Sequence, residues 1–303
     1  MEMNDISKRI LELKHERHAV ILAHNYVAPE IQDLADFTGD SLELSIKAES
    51  VRAEVIVFCG VRFMAETAKL LSPEAIVLLP NPEAGCPMAD MATAEQVRNY
   101  KRENPDALLV AYVNSSADVK AEGDLCCTSG NAEAIIGALP EDRKVLFLPD
   151  RNLGGNMNRK LGRKMELWPG CCPIHDAVTP EAIRKARAEH PGSPVLVHPE
   201  CRPEVLAEAD QALSTAGILN YVRKSGEKSF IIGTEEGILH RLRKENPDKI
   251  FYPVQPPMVC QDMKKITLEQ VRDVLRDLSN QVELPEQQMK DAVRPIESML
   301  NAR

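Results

Sequence analysis

The segment "HAVILAHNY" (18–26) is a short apolar run that closes on a polar pair, His24 and Tyr26. Unbroken apolarity over such a length fits a strand buried on both faces, as in a parallel sheet. Two further segments, "DALLVAYVN" (106–114) and "SPVLVHPE" (193–200), have the same form. Their polar ends fall in register. His24, Tyr112 and His198 are separated by 88 and 86 residues, and Tyr26, Asn114 and Glu200 repeat both intervals. Residues i and i+2 of an extended segment point to the same side, so each strand delivers a polar pair to one place.

After each of these strands comes a helical pattern with a small hydroxyl near its start: "FTGDSLELSIKAESV" (37–51), "CCTSGNAEAIIGAL" (126–139) and "ALSTAGILNYVRKS" (212–225). Ser41, Ser129 and Thr215 again stand 88 and 86 residues apart. Hydroxyls favour helix N-termini because they satisfy unpaired backbone N–H groups, and such termini are also ready anion sites. Second strands are expected at "EVIVFCG", "RKVLFLPD" and "KSFIIGT", and third strands at "EAIVLLP", "KMELWPG" and "DKIFYPV". The order β-α-β-α-β three times over predicts an α/β fold of three similar three-layer α/β/α domains with parallel sheets, about 87 residues each. The units are placed at 1–88, 89–174 and 175–265. The tail 266–303 reads as two helices that pack back on the first unit.

Beyond the third strand of each unit stands a cysteine, in "NPEAGCPMAD", "LWPGCCPIHD" and "QPPMVCQDMKK". Cys86, Cys172 and Cys260 lie 86 and 88 residues apart. The proline after Cys86 and after Cys172 selects Cys172 over Cys171 as the repeat-equivalent residue. Ligands of open α/β sheets sit beyond the carboxyl ends of the strands. Three such units around a pseudo-threefold axis would therefore bring the cysteines and the polar pairs to one centre. Three convergent thiolates suggest a soft metal site, zinc or an iron–sulfur cluster. With only three protein thiolates, one iron of a [4Fe–4S] cluster keeps an open position, the mark of a Lewis-acid site. Any one of these cysteines taken singly reads as buried core. It is the three registered columns that make coincidence the poorer account. Cys59, Cys126, Cys127, Cys171 and Cys201 lie off the register and read as packing.

The rest of the composition narrows the field. Of 303 residues 4% are aromatic, and the net charge is −9 with no run of like charges. That argues against a general nucleic-acid binder or a membrane-surface protein. The N-terminus reads as an amphipathic helix rather than a signal peptide, and no apolar stretch approaches a membrane span. The expected location is the cytoplasm, where structural disulfides are rare.

The segments "AHNYVAPEIQDLADFTGDSLELS", "AYVNSSADVKAEGDLCCTSGNA", "FLPDRNLGGNM", "CCPIHD", "VHPEC" and "MVCQDMKKIT" run in order through all three units. Over nearly its whole length the chain resembles the quinolinate synthase family of NAD biosynthesis, in its shorter form. The resemblance implies a pseudo-threefold arrangement of the three domains and a [4Fe–4S] cluster on Cys86, Cys172 and Cys260. It also implies condensation of iminosuccinate (iminoaspartate) with dihydroxyacetone phosphate to quinolinate, phosphate and water. The implied substrate-binding positions are His24, Ser41, Tyr112, Asn114, Ser129, His198, Glu200 and Thr215, with Tyr26 and His175 as further active-site matches. Glu200, His198, Tyr26 and His24 are the candidate acids and bases, Glu200 the principal base. His175 reads equally well as a satisfied structural histidine. The labile imine would come from an aspartate oxidase or aspartate dehydrogenase. Competing readings are a [4Fe–4S] hydro-lyase acting on a hydroxy acid, a non-enzymatic redox- or metal-sensing protein, and a structural zinc site. "PDRNLGGNMNRK" lacks the G-K-[ST] of a phosphate-binding P-loop and reads as a tight turn into a helix or a mobile loop. Arg62, Phe63 and Met64 are candidates for the pocket wall.

Overall fold

The computed structural model describes residues 4–301; residues 1–3 and 302–303, the outermost of the first unit and the tail, lie outside the described residues. Twelve parallel strands form three four-stranded sheets. The first comprises β1 (Ala19–His24), β2 (Phe37–Gly39), β3 (Val55–Cys59) and β4 (Ile76–Leu78). The second comprises β5 (Leu108–Tyr112), β6 (Leu125–Cys127), β7 (Val145–Leu148) and β8 (Glu166–Leu167). The third comprises β9 (Val195–Val197), β10 (Gln211–Ala212), β11 (Ser229–Gly233) and β12 (Ile250–Pro253). The strand order is the same in each: β2-β1-β3-β4, β6-β5-β7-β8 and β10-β9-β11-β12. The α/β class with three parallel sheets is the one the repeat spacing predicts.

Each sheet holds one strand more than the sequence suggests. β2, β6 and β10 are edge strands of two or three residues, inside or just ahead of segments read as wholly helical. They exist through their pairing with β1, β5 and β9, as in Leu22↔Phe37 and Tyr112↔Cys127. So short a strand carries no periodicity of its own. Its presence matters, because chain direction in the sheet now reverses between the first strand and its β3-type neighbour. The carboxyl ends on either side of that switch point frame a ligand crevice.

Central strands are buried on both faces; Ile56, Val57, Val110, Phe147, Val195 and Ile231 are sealed. Each such side chain contributes about 1.5–3 kcal/mol through removal from water. One apolar core runs through the first and second units and into the third, and a smaller one lies in the third around Ile183, Val195, Val205 and Ile231. The two tail helices part company. Leu268–Asp277 packs on the N-terminal helix Asp5–Glu16 and on β3, whereas Glu286–Asn301 lies mainly along Ala117–Glu122 and β6 of the second unit and only touches the first, at Arg62–Leu71. This differs from the expectation that both return to the first. The reason is the i, i+4, i+7, i+8 stripe Ala292, Ile296, Met299 and Leu300, buried over a six-residue helix and the edge strand beside it.

Candidate active site

The carboxyl ends of β1, β5 and β9 converge on one cavity. His24 and Tyr112 end their strands, and His198 directly follows β9. Tyr26, Asn114 and Glu200 stand two residues on, and all six line the cavity. So do Ser41, Ser129 and Thr215 from the β2, β6 and β10 side, and Cys86, Cys172 and Cys260 from beyond β4, β8 and β12. His175 is buried there as well. Every candidate side chain from the repeat is thus brought to one place. Phe63 and Met64 also line it, whereas Arg62 turns outward to Glu66. Cys171 is not among the lining residues, nor are Cys59, Cys126, Cys127 and Cys201.

A continuous line of hydrogen bonds runs through the wall. The hydroxyls of Tyr26 and Thr234 lie 2.6 Å apart, and Thr234 Oγ1 is 2.9 Å from His175 Nε2. On the other side of that ring, His175 Nδ1 is 2.7 Å from Glu200 Oε2. The second oxygen, Oε1, accepts from the Tyr112 hydroxyl at 2.6 Å. Burial works to raise the Glu200 carboxyl, but the hydrogen bonds it receives from His175 and Tyr112 hold it below the ordinary range. Against an ionised carboxylate, His175 Nδ1 must donate, which leaves Nε2 to accept from Thr234 and Thr234 to accept from Tyr26.

His24 and His198 are held differently. The backbone N–H two residues on donates to each Nδ1, at 3.2 Å from Tyr26 and 3.3 Å from Glu200. Burial pushes both down to about 3, so both are neutral and carry their proton on Nε2. The 3.5 Å approach of His198 Nδ1 to Glu200 is therefore no ion pair. The Tyr26 and Tyr112 hydroxyls are raised well above their usual range, first by burial. Asn114 Oδ1 is buried with no hydrogen-bond partner, an acceptor left for a ligand. Among the described residues, no lysine or arginine lines the cavity.

The three cysteine thiols are free. Burial raises all three, Cys86 to about 12, so they keep their protons at neutral pH unless a metal draws the thiolates. Cys172, His175 and Glu200 place donor atoms within 4.8 Å of one another, but the three thiols form no group that close. A single zinc with bonds of about 2.3 Å would need its sulfurs about 3.8 Å apart. The trio is too widely spread for that, while its soft, uniform donor set suits a larger thiolate-ligated group.

One expectation is altered. The caps of helices Ser41–Ser50 and Thr215–Lys224 are the preceding residues, Asp40 and Ser214, leaving the Ser41 and Thr215 hydroxyls at the first helical position. Asp40 accepts from Leu42 and Glu43 through Oδ1 and from Ala216 through Oδ2. A protein carboxylate thus already takes N–H groups at two of the three helix N-termini read as anion sites. Any anion in the cavity falls to the hydroxyls, the imidazole Nε2–H groups and Asn114. "PDRNLGGNMNRK", read as a tight turn into a helix or a mobile loop, is the first of these, leading from β7 into the helix Arg151–Leu161 capped by Asp150. Its glycine pair permits close packing, since a Cβ on Gly154 would stand 2.6 Å from Phe147.

Thr234, Glu235 and Asp40 were not singled out from sequence. Their only signal was position: Thr234 and Glu235 follow β11 where Pro149 and Asp150 follow β7, and the residue types hardly match.

A family model described as quinolinate synthetase A protein matches residues 8–301. The chain is 51% identical to a quinolinate synthase of Desulforudis audaxviator over 301 residues, 99% of each chain. It is 52% identical to one of Dehalococcoides mccartyi strain CBDB1, 97% of each, and 48% identical to one of Geobacter metallireducens, 99% of this chain and 98% of that one. The match spans all three sheets and every side chain placed around the cavity, and the chain belongs to the quinolinate synthetase A protein family.

Proposed function

We propose that this chain is a quinolinate-forming transferase of NAD biosynthesis, condensing iminosuccinate with dihydroxyacetone phosphate and releasing phosphate and water. Cys86, Cys172 and Cys260 would hold a [4Fe–4S] cluster. The observation that carries the reading is the line Tyr26–Thr234–His175–Glu200, which opens into the cavity that the three thiols share. Such a wall can move a proton to or from a bound molecule at the Tyr26 oxygen. When bound, the cluster supplies a Lewis acid at the iron that has no protein thiolate.

The remaining work belongs to the side chains. Both substrates are anionic, and no cationic side chain meets them, so binding rests on neutral donors. These are the Nε2–H groups of His24 and His198, the hydroxyls of Ser41, Ser129 and Thr215, and the Asn114 amide. Burial keeps the Tyr26 phenol protonated at rest. Its proton leaves only as Thr234 Oγ1 takes it, Thr234 passes its own to His175 Nε2, and the Nδ1 proton crosses to Glu200 Oε2. Return along the same atoms delivers a proton to a leaving hydroxyl. Each positioned proton transfer is worth about 10²–10⁴ in rate. Closure of polar groups around the ligand excludes water from a hydrolysable imine. The reading places the enzyme in the cytoplasm, with small-molecule partners only.

Iron and acid-labile sulfide per chain, measured on anaerobically reconstituted protein beside Cys172→Ser, test the cluster. About four of each, lost in the variant, is the expected result; one zinc or no metal overturns it. Quinolinate formed from fresh iminosuccinate and dihydroxyacetone phosphate tests the reaction. A loaded protein that instead only dehydrates a single hydroxy acid, releasing no phosphate, refutes it.

A further inference from the structure

Glu235 stands two residues beyond β11, fully buried and on the cavity wall. Its Oε1 accepts from Lys264 Nζ at 2.9 Å and from the backbone N–H of Cys260 at 3.2 Å. Its Oε2 accepts from the Gly237 N–H at 2.7 Å. Lys264 directs a second N–H to the carbonyl of Tyr26 at 2.5 Å. Gly237 lies so close that a Cβ there would stand 2.8 Å from both Cα and O of Tyr26. Gln32 closes the bracket from outside, donating to the carbonyls of Asn25, Val27 and Gly237 at 2.9–3.0 Å. One ion pair, between the buried Glu235 and the half-buried Lys264, therefore ties the backbone of a cavity cysteine to the backbone of the tyrosine that ends the proton line.

The repeat makes this pair conspicuous. Cys59, Leu148 and Gly233 take the same register against Ala23, Ala111 and Val197, so Val61, Asp150 and Glu235 are equivalent. In each unit the next backbone N–H, of Arg62, Arg151 or Glu236, donates to the carbonyl two residues before the cysteine, at 2.8, 2.8 and 2.9 Å. The backbone tether of every cysteine arm is thus shared, but the side chains behind it are not. Val61 is apolar, and Asp150 caps its own helix through Asn152 and Leu153 while its carboxyl also meets the Cys172 backbone N–H, with no cation beside it. Four residues past each cysteine stand Asp90, Asp176 and Lys264. Only the third arm carries a cation there, and only there does it meet a buried carboxylate.

We propose that Glu235 and Lys264 are positioning residues that fix the Cys260 arm against Tyr26, so that the cluster and the proton line keep one mutual geometry. The proposal rests on the cluster reading above. A bond to the backbone of a metal-bearing cysteine orients the thiolate, and removing such outer partners typically costs about 10–100-fold in metal affinity or activity. Because the bracket joins two functions, its loss reaches both.

The test uses the full chain, reconstituted anaerobically, as wild type, Glu235→Gln, Lys264→Met, the double variant and Lys265→Met. Lys265 is the exposed neighbour, paired with Asp262 and the Glu83 carbonyl, and serves as the control that touches neither Glu235 nor Tyr26. The readouts are the rate of iron loss to a chelator, the electron paramagnetic resonance spectrum of the reduced cluster, and kcat with KM. Glu235→Gln is expected to release iron about 10–100-fold faster, with an altered spectrum and kcat lowered by a similar factor. Lys264→Met is expected to lower kcat at unchanged KM with a smaller effect on iron release, and Lys265→Met to match wild type. If Glu235→Gln does not fold, the double variant, which leaves no unpaired buried charge, is read in its place. Wild-type iron release and kcat in the variant so read overturn the proposal. A wild-type chain that takes up no cluster overturns instead the reading on which the proposal rests.

Discussion

Two rims of strand ends surround the cavity, and they differ in kind. At the ends of β1, β5 and β9 the three units set polar beside polar: His24, Tyr112 and His198, then Tyr26, Asn114 and Glu200, all lining the cavity and all but the half-buried Asn114 sealed from solvent. At the ends of β3, β7 and β11 they set Gly60-Val61, Pro149-Asp150 and Thr234-Glu235 on backbones that make the same tethers. The first rim can hold a ligand from three directions. The second gives the site its direction, because only in the third unit does a hydroxyl stand between Tyr26 and His175. Binding uses the symmetry of the repeat, and proton transfer uses its breakdown.

The sharpest attack on this division is Glu200→Gln. The amide keeps the shape of the first rim but cannot take the proton that His175 offers. We expect kcat to fall by about 10²–10⁴, with quinolinate binding, followed by calorimetry, changed by no more than a few-fold. Wild-type turnover in this variant would leave the carboxylate as architecture. Next in size is Thr234→Val, which deletes one oxygen of the second rim and leaves the first untouched. A loss of about 10–100-fold in kcat is expected from one missing link. The decisive reading is the cycle with Tyr26→Phe. Groups that act as a unit are not additive, so the double variant should be no slower than Tyr26→Phe alone. Multiplying losses would mean that the two hydroxyls work separately.

The same contrast explains what could be read from the chain. The first rim was legible because polar residues recur at fixed intervals beside unbroken apolar strands, and the proline shared with Cys86 separated Cys172 from Cys171. Proline after Cys172 begins a short helix, Pro173–Asp176, which turns His175 inward to Glu200; from sequence that histidine read equally well as a site residue or a structural one. The second rim was silent, since unlike residues at equivalent positions show no pattern until strand pairing aligns them. Edge strands β2, β6 and β10 were missed for want of length. The course of the tail depended on which neighbour had an uncovered apolar face, a property of packed units rather than of the tail's own stripe.

The smallest effect probes the hydroxyl column. Ser41 opens its helix but does not cap it, because Asp40 accepts the N–H groups of Leu42 and Glu43. Thr215 and Ser129 stand beside the Tyr26 and Tyr112 hydroxyls and share their hydrogen bonding, so replacing either would disturb the proton line too. Ser41 is the clean member of the column. Loss of an N-cap costs about 1 kcal/mol of stability, whereas loss of one ligand hydrogen bond costs about 0.5–1.5 kcal/mol of binding. Ser41→Ala should therefore leave the melting temperature unchanged and raise KM for one substrate by about 2–12-fold at constant kcat. A lowered melting temperature with unchanged KM would make the hydroxyl part of the helix and take Ser41 out of the binding set. The first unit would then meet the ligand through His24 and Tyr26.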